Sequence, residues 1–214
     1  MAEVAPAGDS NSPSANVTIA SIGRQVGRYK KSKITFTDSS EIILVHEIIE
    51  KYLLSPGQTL SENEVRELLA FSLELEIRER ALGYLAQRAH SRRQLRQKLE
   101  SRGFSEPDIG RVLDYLAGRG YLDDEAYARA WVRSVIKKGT KGRFALAAEL
   151  SRAGIDRVTA RNALEEYSEG EEYRTVLRLI ERCGEVSQPA LIRRLTARGF
   201  PLYLIRKALE HKST

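Results

Sequence analysis

Three kinds of residue in this 214-residue chain could do chemistry: adjacent carboxylates, clustered cations and a single thiol. Asp123-Asp124-Glu125 sets three acids side by side, and paired acids can hold a metal ion or share acid–base work. No histidine, glycine-rich loop or further ligand stands near them. They suit a helix start better, with Asp123 as the cap and Asp124 and Glu125 at the positive end of the helix dipole. His46, His90 and His211 are far apart, and none has ligand spacing to Cys183, the only cysteine. The Lys137-Lys138-Gly139-Thr140-Lys141-Gly142-Arg143 run lacks the Gly-x-x-x-x-Gly-Lys-Ser/Thr order of a phosphate-binding loop. The expectation is a binding protein with no catalytic residue, no cofactor and no metal.

What remains is charge. Residues 1–76 hold seven Lys/Arg against eleven Asp/Glu, a net of −4, and the whole chain is +6, so residues 77–214 carry +10. An acidic front and a basic remainder point to a polyanionic or acidic partner for the second part, the plain alternative being a charged, solvated surface. Lys137, Lys138, Lys141 and Arg143 make four of seven residues basic, which suits phosphate contact and a solvated linker equally. Arg92, Arg93, Arg96, Lys98 and Arg102 form the densest arginine run, and Arg193, Arg194 and Arg198 recur on a comparable segment. Arg92 and Arg96 are four apart and share a helix face. Tyr121, Leu122, Tyr127 and Trp131 have partly helical spacing and read as core rather than as a base-stacking platform.

Helices must position these residues. Residues 1–16 are rich in Ala, Pro, Ser and Asn and read as a disordered tail. Residues 17–75 form an N-terminal β-hairpin and helix module. Ile34–Thr37 and Glu41–Val45 flank Asp38-Ser39-Ser40 as a hairpin, and the Val17 run supplies a possible third strand before the basic stretch Arg28–Lys31. A helix is expected from His46 to Leu54, closed by Ser55-Pro56-Gly57-Gln58, and Ser61 with Glu64 makes a capping box for the next.

From there on the chain repeats. Ser91–Leu116, Gly142–Tyr167 and Ser187–Lys212 align without gaps. Leu95, Leu146 and Leu191 share a column, as do Leu99, Leu150 and Leu195. Gly103, Gly154 and Gly199 follow, then Phe104, Ile155 and Phe200, and Leu113, Leu164 and Leu209 close the pattern. The leucines stack four apart on one face, and the glycine ends the helix in the left-handed region. Each unit has a preceding helix: Ile77–Gln87, Glu125–Lys137 and Glu172–Arg182. The expected fold is mainly α, with three tandem three-helix repeats (76–122, 123–168, 169–214) forming an elongated curved bundle behind a small antiparallel β module.

No apolar run is long enough for a membrane span, no secretory start is present, and one cysteine fits a reducing compartment, so a cytoplasmic protein is expected. The stretch Gly120-Tyr121-Leu122-Asp123-Asp124-Glu125-Ala126-Tyr127-Ala128-Arg129-Ala130-Trp131-Val132-Arg133 resembles the RecX family. So do Gly142–Ile155 and the run from Ser91 through Leu99 to Gly103-Phe104, and the likeness covers residues 75–212. The resemblance implies a regulator that binds the RecA recombinase and RecA–DNA filaments and modulates, chiefly inhibits, filament extension, ATP hydrolysis and strand exchange. It implies RecA contacts from Tyr121, Asp124, Tyr127, Arg129 and Arg133. DNA or an acidic surface would meet Arg92, Arg93, Arg96, Arg102, Lys137, Lys138, Lys141, Arg143, Arg193, Arg194 and Arg198. The chain is expected to act as a monomer, and the alternative is a stand-alone DNA-binding protein.

Overall fold

The structure is a computed structural model and describes residues 16–24, 30–184 and 186–213. The expected tail over residues 1–15, and Arg28-Tyr29 of the basic stretch, lie outside the described residues. The chain divides into two compact units, Met1–Ala81 and Leu82–Thr214.

In the first unit, β1 (Asn16–Arg24), β2 (Lys31–Phe36), β3 (Glu41–Val45) and β4 (Thr59–Ser61) form an antiparallel sheet in the order β3-β2-β1-β4. Alternation along β2 buries Ser32, Ile34 and Phe36 on one face. The expected hairpin turn is an Asx turn in which the Ser40 amide donates to Asp38 Oδ1 at 2.9 Å. Helix α1 (His46–Lys51) is shorter than expected, because Leu53 sits at φ 50° and turns the chain towards β4. The three-residue β4 has too little alternation to be legible beforehand. Helix α2 (Glu62–Gln87) opens with the expected box: the Ser61 amide donates to Glu64 Oε2 at 2.7 Å. It runs without a break through the segment expected as the first helix of repeat 1. Val17, Ile19, Phe36, Leu44, Leu60, Val65 and Leu68 share one core.

The second unit holds the repeats. The last turns of α2 precede α3 (Arg92–Glu100) and α4 (Glu106–Gly118). Next come α5 (Asp124–Lys138), α6 (Arg143–Arg152) and α7 (Arg157–Leu164), then α8 (Glu169–Glu181), α9 (Gln188–Ala197) and α10 (Leu202–Ser213). The fold is therefore mainly α, with three-helix repeats in tandem behind a small sheet. The two leucine columns have common environments, and the glycine column a common backbone conformation. Leu95, Leu99, Leu146, Leu150, Leu191 and Leu195 are all buried. Gly103, Gly154 and Gly199 have φ of 86°, 82° and 81°, a conformation that costs other residues sterically. The next helix is then capped by Ser105 on the Asp108 amide and by Asp156 on the Val158 and Thr159 amides.

One junction joins successive repeats and occurs twice. At the first, Ser91 Oγ donates to the Ala153 carbonyl at 2.5 Å, and Asp124 Oδ1 accepts from the Arg92 amide at 2.7 Å. At the second, the Gly142 amide donates to the Arg198 carbonyl at 2.9 Å, and the Phe144 amide donates to the Gly199 carbonyl at 3.1 Å. There Glu172 Oε1 accepts from the Arg143 amide at 2.8 Å. In both cases the start of the middle helix of one repeat meets a glycine turn and a carboxylate from the next, the turn being bonded by the Ser91 hydroxyl at the first junction and by two amides at the second, and the carboxylate by an amide at each. Those amides lack partners within their own helix, so the junction satisfies them from a neighbour.

Candidate partner and nucleic-acid interface

The junctions decide which cations are available to a partner. Arg143 starts α6, and its Nε donates to Glu172 Oε2 at 2.5 Å while its Nη2 donates to the Tyr167 carbonyl at 3.1 Å. Glu172 is fully buried, and a buried carboxylate must be paired. Burial opposes the Arg143 charge, but hydrogen bonding and attraction from Glu172 outweigh it and raise the guanidinium above its ordinary range. Lys141 is ion-paired with Glu149, which also accepts from Trp131 Nε1 at 3.1 Å. The expected basic loop is therefore not uniformly available. Lys137 and Lys138 close α5 before Gly139 at φ 59°, and both are exposed without a side-chain partner among the described residues. Lys141 and Arg143 are held by acids of α6 and α8.

The arginine run of repeat 1 divides similarly. Arg92 Nη2 bonds Asp114 Oδ1 at 2.6 Å, Arg96 pairs with Glu106 at 3.4 Å, and Arg102 Nε donates to the Tyr84 hydroxyl at 3.2 Å. Arg93 is exposed and its guanidinium has no partner among the described residues. Its stem crosses Gly154, where an added Cβ would lie 2.4 Å from the Arg93 Cβ. Arg92, Arg93 and Arg96 line one concavity of about 430 Å³ with Asp124 and Gly154. In repeat 3, Arg193 is exposed with no side-chain partner among the described residues, Arg194 Nη1 approaches Cys183 Sγ at 3.6 Å, and the half-buried Arg198 lends its carbonyl to the second junction.

The residues expected to face RecA fall into two groups. Tyr121 is 60% exposed. Arg129 pairs with Glu125 one turn away, and Arg133 forms a two-point pair with Glu166 at 2.7 and 2.9 Å. Both are on the surface. The Glu166 hydrogen bond raises the Arg133 guanidinium, and the same bond lowers the Glu166 carboxyl. Tyr127 is buried, with its hydroxyl 3.2 Å from Gln94 Nε2, and Asp124 is spent on the Arg92 amide. The half-buried Asp124 therefore takes part in the repeat junction through its Oδ1. Asp123 caps α5 as expected, accepting from the Ala126 amide at 2.9 Å.

Some functional candidates escaped the sequence reading. Arg157 and Arg161, one turn apart on α7, are exposed and have no side-chain partner among the described residues. With Phe144, 62% exposed, they line a groove of about 820 Å³ between α6 and α7. Their i,i+4 spacing was the available signal. Among the described residues, no group of three or more His, Cys, Asp or Glu could hold a metal, and no helix is long and apolar enough to cross a membrane.

Comparison with known proteins adds the lineage. Residues 78–116 match the family model described as the first three-helix domain of RecX, and residues 123–164 match the second. The chain is 33% identical over 139 residues to the regulatory protein RecX of Prosthecochloris aestuarii, covering 63% of this chain and 92% of that one. It is 42% identical over 99 residues to the RecX of Mycobacterium sp. strain KMS, covering 46% of this chain and 54% of the relative, so the match spans about half of that protein. Among solved structures, a regulatory protein RecX superposes with a TM-score of 0.69 at 19% identity, covering 91% of this chain and 99% of that one. RecX from Lactobacillus salivarius gives 0.60 at 24% identity, covering 65% and 96%. These two likenesses concern the fold alone.

Proposed function

As a member of the RecX family, to which the match along nearly the whole Prosthecochloris relative assigns it, the chain has a role that we propose to be the regulation of RecA. It binds RecA and RecA–DNA filaments without catalysing a reaction of its own, and it restrains filament extension, ATP hydrolysis and strand exchange. It acts as a monomer in the cytoplasm. The observation that carries this reading is the division of charge. The repeat-bearing part has a net of +10, and after the internal ion pairs are removed, exposed cations remain in every repeat: Arg93, Lys137, Lys138, Arg157, Arg161 and Arg193. Surplus positive charge spread over successive repeats suits a polyanionic filament better than a single small ligand. Tyr121, Arg129 and Arg133 supply exposed contacts for the protein side, while Tyr127 and Asp124 maintain the junction behind them.

The test is equilibrium binding of labelled full-length chain to single-stranded DNA, bare and coated with RecA, at several salt concentrations, together with the RecA ATPase rate. Tighter binding to the coated strand and a slowed ATPase are expected. Equal affinity for both, with a steep salt dependence, would instead mark a DNA-binding protein that acts alone.

A further inference from the structure

The three repeats share a backbone plan, but they differ in what covers the space between their second and third helices. In repeat 1 the α3–α4 surface is closed by ion pairs, Arg96 with Glu106 and Arg92 with Asp114. In repeat 2 Ala147 replaces Arg96 and Arg157 replaces Glu106, so that pair cannot form, and Arg143, the equivalent of Arg92, is paired with Glu172 rather than with Glu165, the equivalent of Asp114, so the space stays open. The result is the groove of about 820 Å³ between α6 and α7. Its floor is apolar, formed by Ala147, Ile155, Ala160 and Leu164. Phe144 stands at one wall, 62% exposed, and Arg157 and Arg161 rise from α7 without partners among the described residues. Glu165, at the C-terminal end of α7, and Glu169, which opens α8 and accepts from the Tyr203 hydroxyl at 3.0 Å, also line it.

We propose that this groove of repeat 2 is a protein-docking slot that receives an amphipathic segment of the partner, apolar residues inward and carboxylates towards Arg157 and Arg161. A nucleic-acid strand fits less well, because a phosphate run along the groove would meet Glu165 and Glu169 after leaving the arginines. An apolar floor also offers hydrogen bonds to neither bases nor phosphates, whereas it suits the buried face of a helix. Opposite charge at one end and like charge at the other fix the direction in which the segment lies. The inference rests on the RecA reading and deepens it: the groove supplies protein contact, and the scattered lysines and arginines supply attraction to the filament.

The experiment uses the full-length chain with photoreactive benzoyl-phenylalanine in place of Phe144, and RecA filaments on single-stranded DNA as the probe. Two further chains accompany it: R157E/R161E, which reverses the charge, and A147R/R157E, which rebuilds the Arg–Glu pair of repeat 1. Expected results are a crosslink from position 144 to a RecA peptide bearing apolar and acidic residues, and filament affinity reduced about tenfold or more in both variants. Their melting curves should match the parent. A crosslink to the DNA strand would overturn the proposal in favour of a nucleic-acid groove. Tight binding by the parent with no crosslink and unchanged variants would overturn the groove while leaving the RecA reading in place. Failure of the unmodified chain to bind filaments at all would overturn both.

Discussion

Gly103 and Gly199 occupy one column of the repeat and nearly the same backbone conformation, at φ 86° and 81°, yet their replacement by alanine should differ sharply. Both substitutions place a side chain in the left-handed region, which costs about 1–2 kcal/mol. At Gly103 nothing lies within 4 Å of the added Cβ, so the cost ends there. At Gly199 the added Cβ would stand 2.2 Å from the Ala145 amide nitrogen and 2.5 Å from its Cβ. Neither backbone can yield without parting the junction, which removes the Gly142–Arg198 and Phe144–Gly199 hydrogen bonds. Each is worth about 1 kcal/mol net. Gly103→Ala should therefore cost about 1–2 kcal/mol and Gly199→Ala about 3–4 kcal/mol. Urea unfolding followed by far-ultraviolet circular dichroism measures both. Equal losses, or a larger loss at Gly103, would refute the claim that the glycine turn of one repeat seats the helix of another.

Removing Glu172 leaves Arg143 half-buried with an unmet amide, so Glu172→Ala should destabilise by about 3 kcal/mol in the same urea assay, whereas Glu125→Ala, whose Arg129 pair lies on the surface, should change stability by less than about 1 kcal/mol. Replacing Lys137 and Lys138 with alanine should leave stability within about 0.5 kcal/mol, weaken filament binding, and reduce the salt slope by about 2, as read from affinity at several salt concentrations. His90 is buried, its Nδ1 is 2.8 Å from the Arg88 carbonyl, and burial, with Arg88 and Lys98 nearby, holds its pKa below the ordinary value of 6.5. The folded state therefore prefers neutral imidazole, and its stability is full above about pH 6.5 and declines as the unfolded chain takes up a proton below that. Urea midpoints at about pH 7.5 and 5.5, where carboxylates stay ionised, should fall more for the parent than for His90→Gln.

The repeat was legible because its landmarks are local. Leucines four apart and a glycine at a helix end act within one turn of chain, so Leu146, Leu150 and Gly154 announce their roles without knowledge of the fold. The Asp123 cap and the Ser61–Glu64 box were legible for the same reason. What escaped was set by residues remote in sequence. Asp124 looks free until the Arg92 amide, 32 residues away, is seen to take its oxygen. Arg143 reads as a loop cation until Glu172, 29 residues on, is seen to pair with it. Arg157 and Arg161 drew no notice because two arginines in a short helix are ordinary. Their interest comes from Ala147 on the facing helix, which leaves the space beside them open. The β4 strand depends on its pairing with β1, since three residues carry too little alternation to declare themselves.

Hydrogen–deuterium exchange of the full-length chain, free and saturating RecA filaments, bears most directly on the assignment of partner binding to the repeats. The expected result is slowed exchange within residues 137–169, from the end of α5 to the start of α8, together with protection near Arg93 and Arg193. Exchange unchanged throughout residues 82–214 under saturated binding, or protection confined to the N-terminal sheet, would contradict it.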